Sequence, residues 1–233
     1  MVSLATDTSL DNVGRILRAA RIFGRRAWDG ATLPEQRMTN DSEPNLGGDL
    51  FELFSLLEKR NLRYLLVGGV ALLKYVEGRN TEDIDLVLSA RSLKRLPELV
   101  ITEQDSDFAR GTFRNIRVDV LLTSNPVFKL VNEKYATTHT FDETEVRIAT
   151  PDGLILLKLY ALPSLYRQGD GQRIALYESD MMMLMLRHRP DTTPLLEALR
   201  PHVDEGQFHE LNRIVADIQT RITRIDEAQR DEN

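Results

Sequence analysis

A Gly-Gly pair and an Asp-x-Asp pair lie close together in the segment VGGVALLKYVEGRNTEDIDLVL, which spans residues 67–88. Asp83 and Asp85 interrupt an apolar run that has the composition of a buried strand. Residues i and i+2 of a strand point to the same face, so these two carboxylates are expected to lie side by side. Neighbouring carboxylates repel each other unless a cation lies between them. Because Mg²⁺ prefers carboxylate and phosphate oxygens, the pair predicts a magnesium site.

Two glycines and a third aspartate extend this prediction to a nucleotide site. Gly68 and Gly69 have no side chain, so their backbone can approach a phosphate closely. The helix predicted to follow them offers unpaired N–H groups and a positive dipole end to an anion. Asp119 lies in a later apolar run, and three carboxylates can hold two metal ions roughly 4 Å apart for in-line displacement at phosphorus. The residues therefore predict a site for a nucleoside triphosphate and two Mg²⁺ ions.

Short alternating strands and helices are needed to position these residues. We predict helices over 49–60, 68–76 and 91–100, the last broken or started near Pro97. We predict strands over 64–68, 84–89 and 112–122, and a hairpin within 137–149. Apolar residues at helical spacing place Phe51, Phe54 and Leu57 on the inner face of the first helix. The pattern predicts an α+β (α/β-like) fold with a small mixed β-sheet flanked by helices.

The regions on either side of this core have a different pattern. Residues 1–48 are expected to form an N-terminal helix over 10–27 and a polar linker over 29–48, residues 49–150 the core, and residues 151–233 a helical C-terminal part. Within that last part, apolar spacing predicts helices over 151–162, 173–188 and 192–202, followed by a final helix of about 20 residues.

Composition excludes several other kinds of site. The chain has 233 residues, no cysteine, and a formal net charge of −6 with a pI near 5.4. Without cysteine there is no disulfide, thiolate metal site or cysteine nucleophile, and the acidic charge provides no overall attraction for nucleic acid. No apolar run reaches the roughly 20 residues that span a bilayer, and the N-terminal residues lack a signal-peptide pattern. We expect a cytoplasmic protein with no membrane partner.

The spacing of the two pairs resembles the signature of a known superfamily. A hydrophobic residue, Gly68-Gly69, thirteen further residues and then Asp83-Ile84-Asp85 resemble the motif of the DNA polymerase β-like nucleotidyltransferases. The string that contains Arg79, Thr81 and the two aspartates resembles the AbiEii-type toxins and related minimal nucleotidyltransferases. The resemblance covers roughly residues 50 to 190, and it implies a nucleotidyltransferase core.

The resemblance also implies roles for individual residues. It implies that Asp83, Asp85 and Asp119 bind Mg²⁺ and act in catalysis. It implies nucleotide contacts from a larger set, which comprises Gly68, Gly69, Arg79, Thr81 and Lys158.

Two of the implied residues come from predicted C-terminal helices. AbiEii-type toxins have a lysine on a later helix and an aspartate on the next, and Lys158 and Asp180 occupy suitable positions. Lys158 would pair with phosphate charge, and Asp180 would orient the lysine or the substrate. In the alternative interpretation Lys158 reaches the surface, and Asp180 is a surface carboxylate or pairs with Arg173 or Arg187.

The implied function is a magnesium-dependent, NTP-dependent nucleotidyltransferase that uses ATP or another triphosphate. It would transfer a nucleoside monophosphate to a hydroxyl of tRNA or protein, as a toxin with an antitoxin partner. Two alternatives remain open: a small-molecule (antibiotic) acceptor, and a non-catalytic nucleotide-binding or regulatory module on the same fold. An arginine stripe in the N-terminal helix is either a contact for tRNA or an acidic partner, or a solvated face; its members are Arg15, Arg18, Arg21 and Arg25.

Overall fold

The structure, a computed structural model, describes residues 13, 46–76, 81, 83–141 and 144–231. The predicted N-terminal helix with its arginine stripe, most of the predicted linker, and Arg79 therefore lie outside the described residues. The chain forms two compact units. The first contains the described residues up to Ser124 together with Thr138–Ile148, and the second contains Asn125–Thr137 together with the described residues from Ala149 onward.

A mixed β-sheet organises the first unit. In the described part of the chain it has seven strands in the order β3-β4-β5-β2-β1-β7-β6. β2 runs parallel to β5 and antiparallel to β1, and this mixed sheet confirms the predicted α+β fold. The strands are β1 Tyr64–Val67, β2 Asp83–Leu88, β3 Val100–Gln104, β4 Phe108–Phe113, β5 Ile116–Leu122, β6 Ala136–Phe141 and β7 Thr144–Ala149.

The helices of the first unit are shorter than predicted, except for the first. They are α1 Leu46–Lys59, α2 Gly68–Leu72 and α3 Ala90–Leu93. The prediction that Phe51 faces inward is wrong, because its side chain is 53% exposed. Leu50 and Leu53 instead join Phe54 and Leu57 in the buried stripe, and these four positions have the i, i+3, i+4, i+7 spacing of one helix face.

Two predicted elements between β2 and the end of β5 are wrong. The predicted single strand over 112–122 is a hairpin, because β4 ends at Phe113, β5 begins at Ile116, and Arg114 adopts a left-handed φ of 49° in the turn. The helix predicted over 91–100, with a break or start near Pro97, is found only as the short α3, which ends at Leu93. Pro97 lacks an N–H group and disfavours helical backbone at the preceding residue, so the chain continues into the edge strand β3.

The second unit is helical, as predicted for the C-terminal part. Thr150 accepts a hydrogen bond from the Gly153 N–H group and caps α5, and Gly169 ends that helix with a left-handed φ of 68°. α8 continues through the C-terminal residues to Asp231 and is longer than predicted. No helix among the described residues is long and apolar enough to cross a membrane. The elements are α4 Pro126–Lys134, α5 Pro151–Gln168, α6 Gly171–His188, α7 Thr193–Leu199, a 3₁₀ turn Arg200–His202 and α8 Glu205–Asp231.

Candidate active site

Asp83 and Asp85 lie on the same face of β2, and both are half-buried. The intervening Ile84 and the following Leu86 point to the opposite face and are fully buried. The strand is therefore anchored by its apolar side chains, while the two carboxylates stand on a partly open face. This arrangement explains why an apolar segment carries two acidic residues.

The sheet register brings the third predicted carboxylate beside the pair. Asp85 lies opposite Val67 of β1 on one side and opposite Asp119 of β5 on the other. Residues opposite each other on neighbouring strands point to the same face, and neighbouring strands are about 4.8 Å apart. The three aspartates singled out in the sequence therefore share one face of the sheet.

Gly68 packs directly against the carboxylate of Asp85. Its φ is 64°, in the left-handed region, and an added Cβ atom would lie 1.8 Å from Asp85 Oδ2. Both the backbone conformation and the space at this position therefore require glycine. The glycine turn and the Asp-x-Asp strand are in contact, as the sequence predicted.

Gly69 and Thr81 form the other side of this contact. A Cβ atom at Gly69 would lie 2.4 Å from Thr81 Oγ1, so the side chain of Thr81 occupies the space left by the glycine. The buried Thr81 hydroxyl lies 3.2 Å from the carbonyl oxygen of Asp83, to which it donates, and 3.4 Å from Asp83 Oδ1. The hydroxyl of Thr81 thus contacts Asp83, and the nucleotide contact predicted for Thr81 stays a prediction.

The predicted helix dipole at this site is weaker than expected. The helix predicted over 68–76 is found as α2, which ends at Leu72 and continues only as turns. A helix of five residues contributes little of the macrodipole that longer helices present at their N-terminus. The turn offers an anion mainly its close backbone approach at Gly68 and Gly69.

The oxygen donors at this face fit Mg²⁺, but they do not converge in the conformation observed. In the described ranges no group of three or more histidine or acidic side chains is arranged to hold a metal ion. Asp119 Oδ1 instead lies 3.7 Å from Arg110 Nε. Asp83 and Asp85 supply hard ligands on one face, and a two-ion arrangement would also need the carboxylate of Asp119.

Lys158 and Asp180 meet within the second unit. Lys158 on α5 donates a 2.7 Å hydrogen bond to Asp180 Oδ2 on α6, and its Nζ lies 4.3 Å from the ring centre of Tyr177. Lys158 is 7% exposed and Asp180 is fully buried. The surface alternatives for both residues are therefore wrong. Arg173, an alternative partner for Asp180, lies instead 3.5 Å from Asp170.

Sequence reasoning missed two basic residues that face the aspartates. Arg110 of β4 lies opposite Asp119, and Arg117 of β5 lies opposite Asp83. Arg117 is two residues from Asp119, so strand alternation would have placed it on the same face. Arg110 gave no such signal, because β4 itself was not recognised.

Replacement of Gly68 by alanine is expected to destabilise the protein more than replacement of Gly169. Both glycines have a left-handed φ, but a Cβ atom at Gly169 would meet nothing within 4 Å, whereas one at Gly68 would overlap Asp85. The backbone term should cost about 1 kcal/mol in both variants, and overlap should add about 1–3 kcal/mol in G68A. Urea unfolding of the two variants measures the difference, and equal losses would contradict the observed packing of Gly68 on Asp85.

Comparison with known proteins supports the fold. No protein-family model and no curated protein sequence matches the chain. Among solved structures, the chain is similar to an antigenic nucleotidyltransferase-like protein from Paracoccidioides brasiliensis, with 19% identity and a TM-score of 0.52 over 76% of this chain and 88% of that one. At this identity the likeness concerns the fold alone.

Two structures of the antibiotic-resistance factor ANT(2'')-Ia are more distant. Its solution structure has 13% identity and a TM-score of 0.46 over 79% of this chain and 96% of that one. Its crystal structure with adenylyl-2''-tobramycin has 11% identity and a TM-score of 0.46 over 74% of this chain and 95% of that one.

Proposed function

We propose that this chain is a magnesium-dependent nucleotidyltransferase that moves a nucleoside monophosphate from a nucleoside triphosphate to an acceptor hydroxyl. The observation that carries the proposal is the contact between the Gly68 turn and the carboxylate of Asp85, with Asp83 beside it on the same strand face. A phosphate-approaching turn and a pair of metal-binding carboxylates belong together in nucleotide chemistry. The nucleotidyltransferase-like fold is consistent with this function.

The backbone at Gly68 and Gly69 binds the triphosphate in this proposal. Val67 precedes the turn and makes no side-chain capping hydrogen bond to it, so the first N–H groups of α2 receive no acceptor from that residue. Backbone N–H groups at the start of a helical turn favour an anion. The absence of side chains at the two glycines lets phosphate oxygens come within hydrogen-bond distance of the backbone.

Asp83 and Asp85 hold the magnesium in this proposal, and Asp119 joins them. Bound Mg²⁺ supplies positive charge that offsets the negative charge of the phosphates during transfer. Thr81 fixes Asp83 through its hydroxyl, and Gly68 leaves space for the Asp85 carboxylate at the end of β1. These contacts fix the backbone that carries Asp83 and leave room for the carboxylate of Asp85 before substrate binds, which reduces the reorganisation required for reaction.

The proposed reaction is an in-line displacement at the α-phosphorus. The acceptor hydroxyl oxygen forms a bond to the α-phosphorus, the bond from that phosphorus to the bridging oxygen of the β-phosphate breaks, and pyrophosphate leaves with the bonding electrons. The acceptor proton passes to a carboxylate, for which we propose Asp119. Asp83 and Asp85 would remain the ligands of the metal during this step.

The roles of Lys158, Asp180 and Arg79 are part of the same proposal. Lys158 binds phosphate charge, Asp180 orients the lysine, and Arg79 contacts the triphosphate or an acidic partner. The short hydrogen bond between Lys158 and Asp180 supports an orienting role for the aspartate. A buried lysine held on one side by a carboxylate and on the other by a tyrosine ring has little conformational freedom, which suits a positioned cation.

We propose tRNA or protein as the acceptor and a toxin–antitoxin pair as the setting. The support is the sequence string through Arg79, Thr81, Asp83 and Asp85, which resembles AbiEii-type toxins, together with a lysine and an aspartate on successive helices of the second unit. An acceptor on a macromolecule distinguishes this proposal from the small-molecule alternative.

A label-transfer experiment tests the proposal. The full chain is incubated with Mg²⁺, total tRNA, a protein extract and one α-³²P-labelled NTP at a time, with D83N in parallel. Label on tRNA or on a protein band in the wild type alone supports the proposed transfer and identifies the acceptor. Equal signals in wild type and D83N contradict it. Transfer only to an added aminoglycoside would favour the small-molecule alternative.

A further inference from the structure

Four charged residues form a single row across four neighbouring strands of the sheet. Glu103 of β3 lies opposite Arg110 of β4, which lies opposite Asp119 of β5, which lies opposite Asp85 of β2. Because residues in register share a face, the row places one cation between a peripheral carboxylate and the two inner carboxylates. Arg110 therefore lies on the same face of the sheet as the candidate magnesium site.

Arg110 contacts both of its neighbours in the row. Its Nη1 lies 3.4 Å from Glu103 Oε2, and its Nε lies 3.7 Å from Asp119 Oδ1. The side chains of Arg110 and Glu103 are 53% and 71% exposed, whereas that of Asp119 is 27% exposed. Arg110 can therefore turn toward Glu103 and solvent without leaving a buried charge, and its long contact with Asp119 is easily exchanged.

Arg110 places a positive charge beside Asp119. Asp85 and Asp119 are adjacent carboxylates whose mutual repulsion must be offset by a positive charge. In the structure Arg110 supplies part of that charge through its contact with Asp119, and Arg117 lies on the same face opposite Asp83. A divalent ion shared by Asp85 and Asp119 would supply the same charge more strongly and would repel the guanidinium.

We propose that Arg110 is a placeholder cation. In the metal-free protein it pairs with the Asp119 carboxylate. When a second divalent ion binds, Arg110 leaves Asp119 and turns toward Glu103 and solvent. The inference rests on the proposed function, since it requires the magnesium site. It makes Arg110 a positioning residue that acts through Asp119. It also gives Glu103, at the edge of the sheet, a role as the alternative partner of Arg110.

Direct measurement of Mn²⁺ binding to the full chain tests this proposal without reliance on activity. Free Mn²⁺ is counted by electron paramagnetic resonance during titration of wild type, R110Q and R114Q. Arg114 is the matched control, because it is 54% exposed and pairs with Glu52 and Asp49 rather than with the candidate site. Removal of one competing charge a few ångströms from the metal should tighten the weaker Mn²⁺ site about 3- to 10-fold in R110Q, and R114Q should match wild type.

The aspartate variant gives a second, independent readout. D119N should abolish the weaker Mn²⁺ site, and R110Q/D119N should bind Mn²⁺ like D119N alone, since Arg110 acts only through that carboxylate. If the ion pair of Arg110 is purely structural, R110Q changes the unfolding midpoint and leaves the Mn²⁺ affinity unchanged. That result overturns the inference. The proposed function still stands in that case if D83N loses Mn²⁺ binding. Failure of the wild type to bind Mn²⁺ overturns both.

Discussion

Replacement of Asp83 or Asp85 by asparagine is expected to lower the rate of nucleotide transfer by at least about 1,000-fold, which corresponds to about 4 kcal/mol of activation free energy. Asparagine keeps the size of the side chain but removes the charge that a magnesium ion requires. Loss of metal at this position removes the positive charge that offsets the phosphates during transfer. Initial rates of label transfer at saturating Mg²⁺ measure the loss.

The same variants should remain folded. Both aspartates are half-buried on the face of β2, while the residues that anchor the strand point to the opposite side. Removal of one of two neighbouring negative charges also relieves repulsion. Circular dichroism and the urea midpoint check the fold, and D217N is the matched control because Asp217 is 58% exposed and pairs with Arg221 on α8. Full activity in D83N would show that the metal site has been assigned to the wrong residues.

Replacement of Lys158 by methionine is expected to destabilise the protein by about 3–5 kcal/mol. Methionine preserves the length of the side chain, but Asp180 is fully buried and would lose the charge that balances its carboxylate. The contact of the ammonium group with the Tyr177 ring would be lost as well. Urea unfolding measures the change in the free energy of unfolding.

A double variant and an exposed ion pair provide the controls for this prediction. K158M/D180L removes both charges and should recover most of the lost stability, since an apolar pair can replace a buried ion pair. R221M removes the pair of Arg221 with Asp217, whose two side chains are 45% and 58% exposed, and a longer 3.7 Å contact with Glu178. It should cost about 1 kcal/mol or less. If K158M also lost less than about 1 kcal/mol of unfolding free energy, Lys158 and Asp180 would not form a buried, charge-balanced pair. A stable K158M/D180L variant without transfer activity would support the proposed role of the pair in the reaction.

The part of the site that depends on short segments was predictable from the sequence. Gly68 and Asp85 lie at the ends of two neighbouring apolar runs, and strand alternation alone places Asp83 with Asp85. The contact of Thr81 with Asp83 is also local, because the two residues are two positions apart. What the sequence did not indicate was that the Thr81 hydroxyl holds Asp83.

Arg110 could not be predicted because its strand carries a weak hydrophobic signal. Burial alternates along β4, but two of its buried positions are the small residues Ala109 and Gly111, and the large apolar Phe108 is 45% exposed. Gly111 is required because a Cβ atom there would lie 2.3 Å from the carbonyl oxygen of Val100 on the edge strand. A close approach of two backbones leaves no hydrophobic pattern in the sequence. Because β4 has no such pattern, the sequence predicts a single strand over residues 112–122.

The pairing of Lys158 with Asp180 depended on a resemblance and on tertiary structure. The residues are 22 positions apart on separate helices, and apolar spacing shows only that each helix has a buried face. A charged residue within such a face can lie at its edge and reach solvent, or it can pair with an opposite charge inside the protein. Packing of α5 on α6 decides between the two, and Tyr177, one helical turn before Asp180, joins the lysine only through that packing.

The most direct test of the account is a crystal structure of the chain with Mn²⁺ and a non-hydrolysable nucleoside triphosphate, with the metal located by its anomalous scattering. The account predicts Mn²⁺ about 2.1 Å from carboxylate oxygens of Asp83 and Asp85, with the triphosphate on the backbone of Gly68 and Gly69. It predicts that Arg110 has turned away from Asp119. Metal and nucleotide bound elsewhere, with Asp83 and Asp85 free of metal, would contradict it.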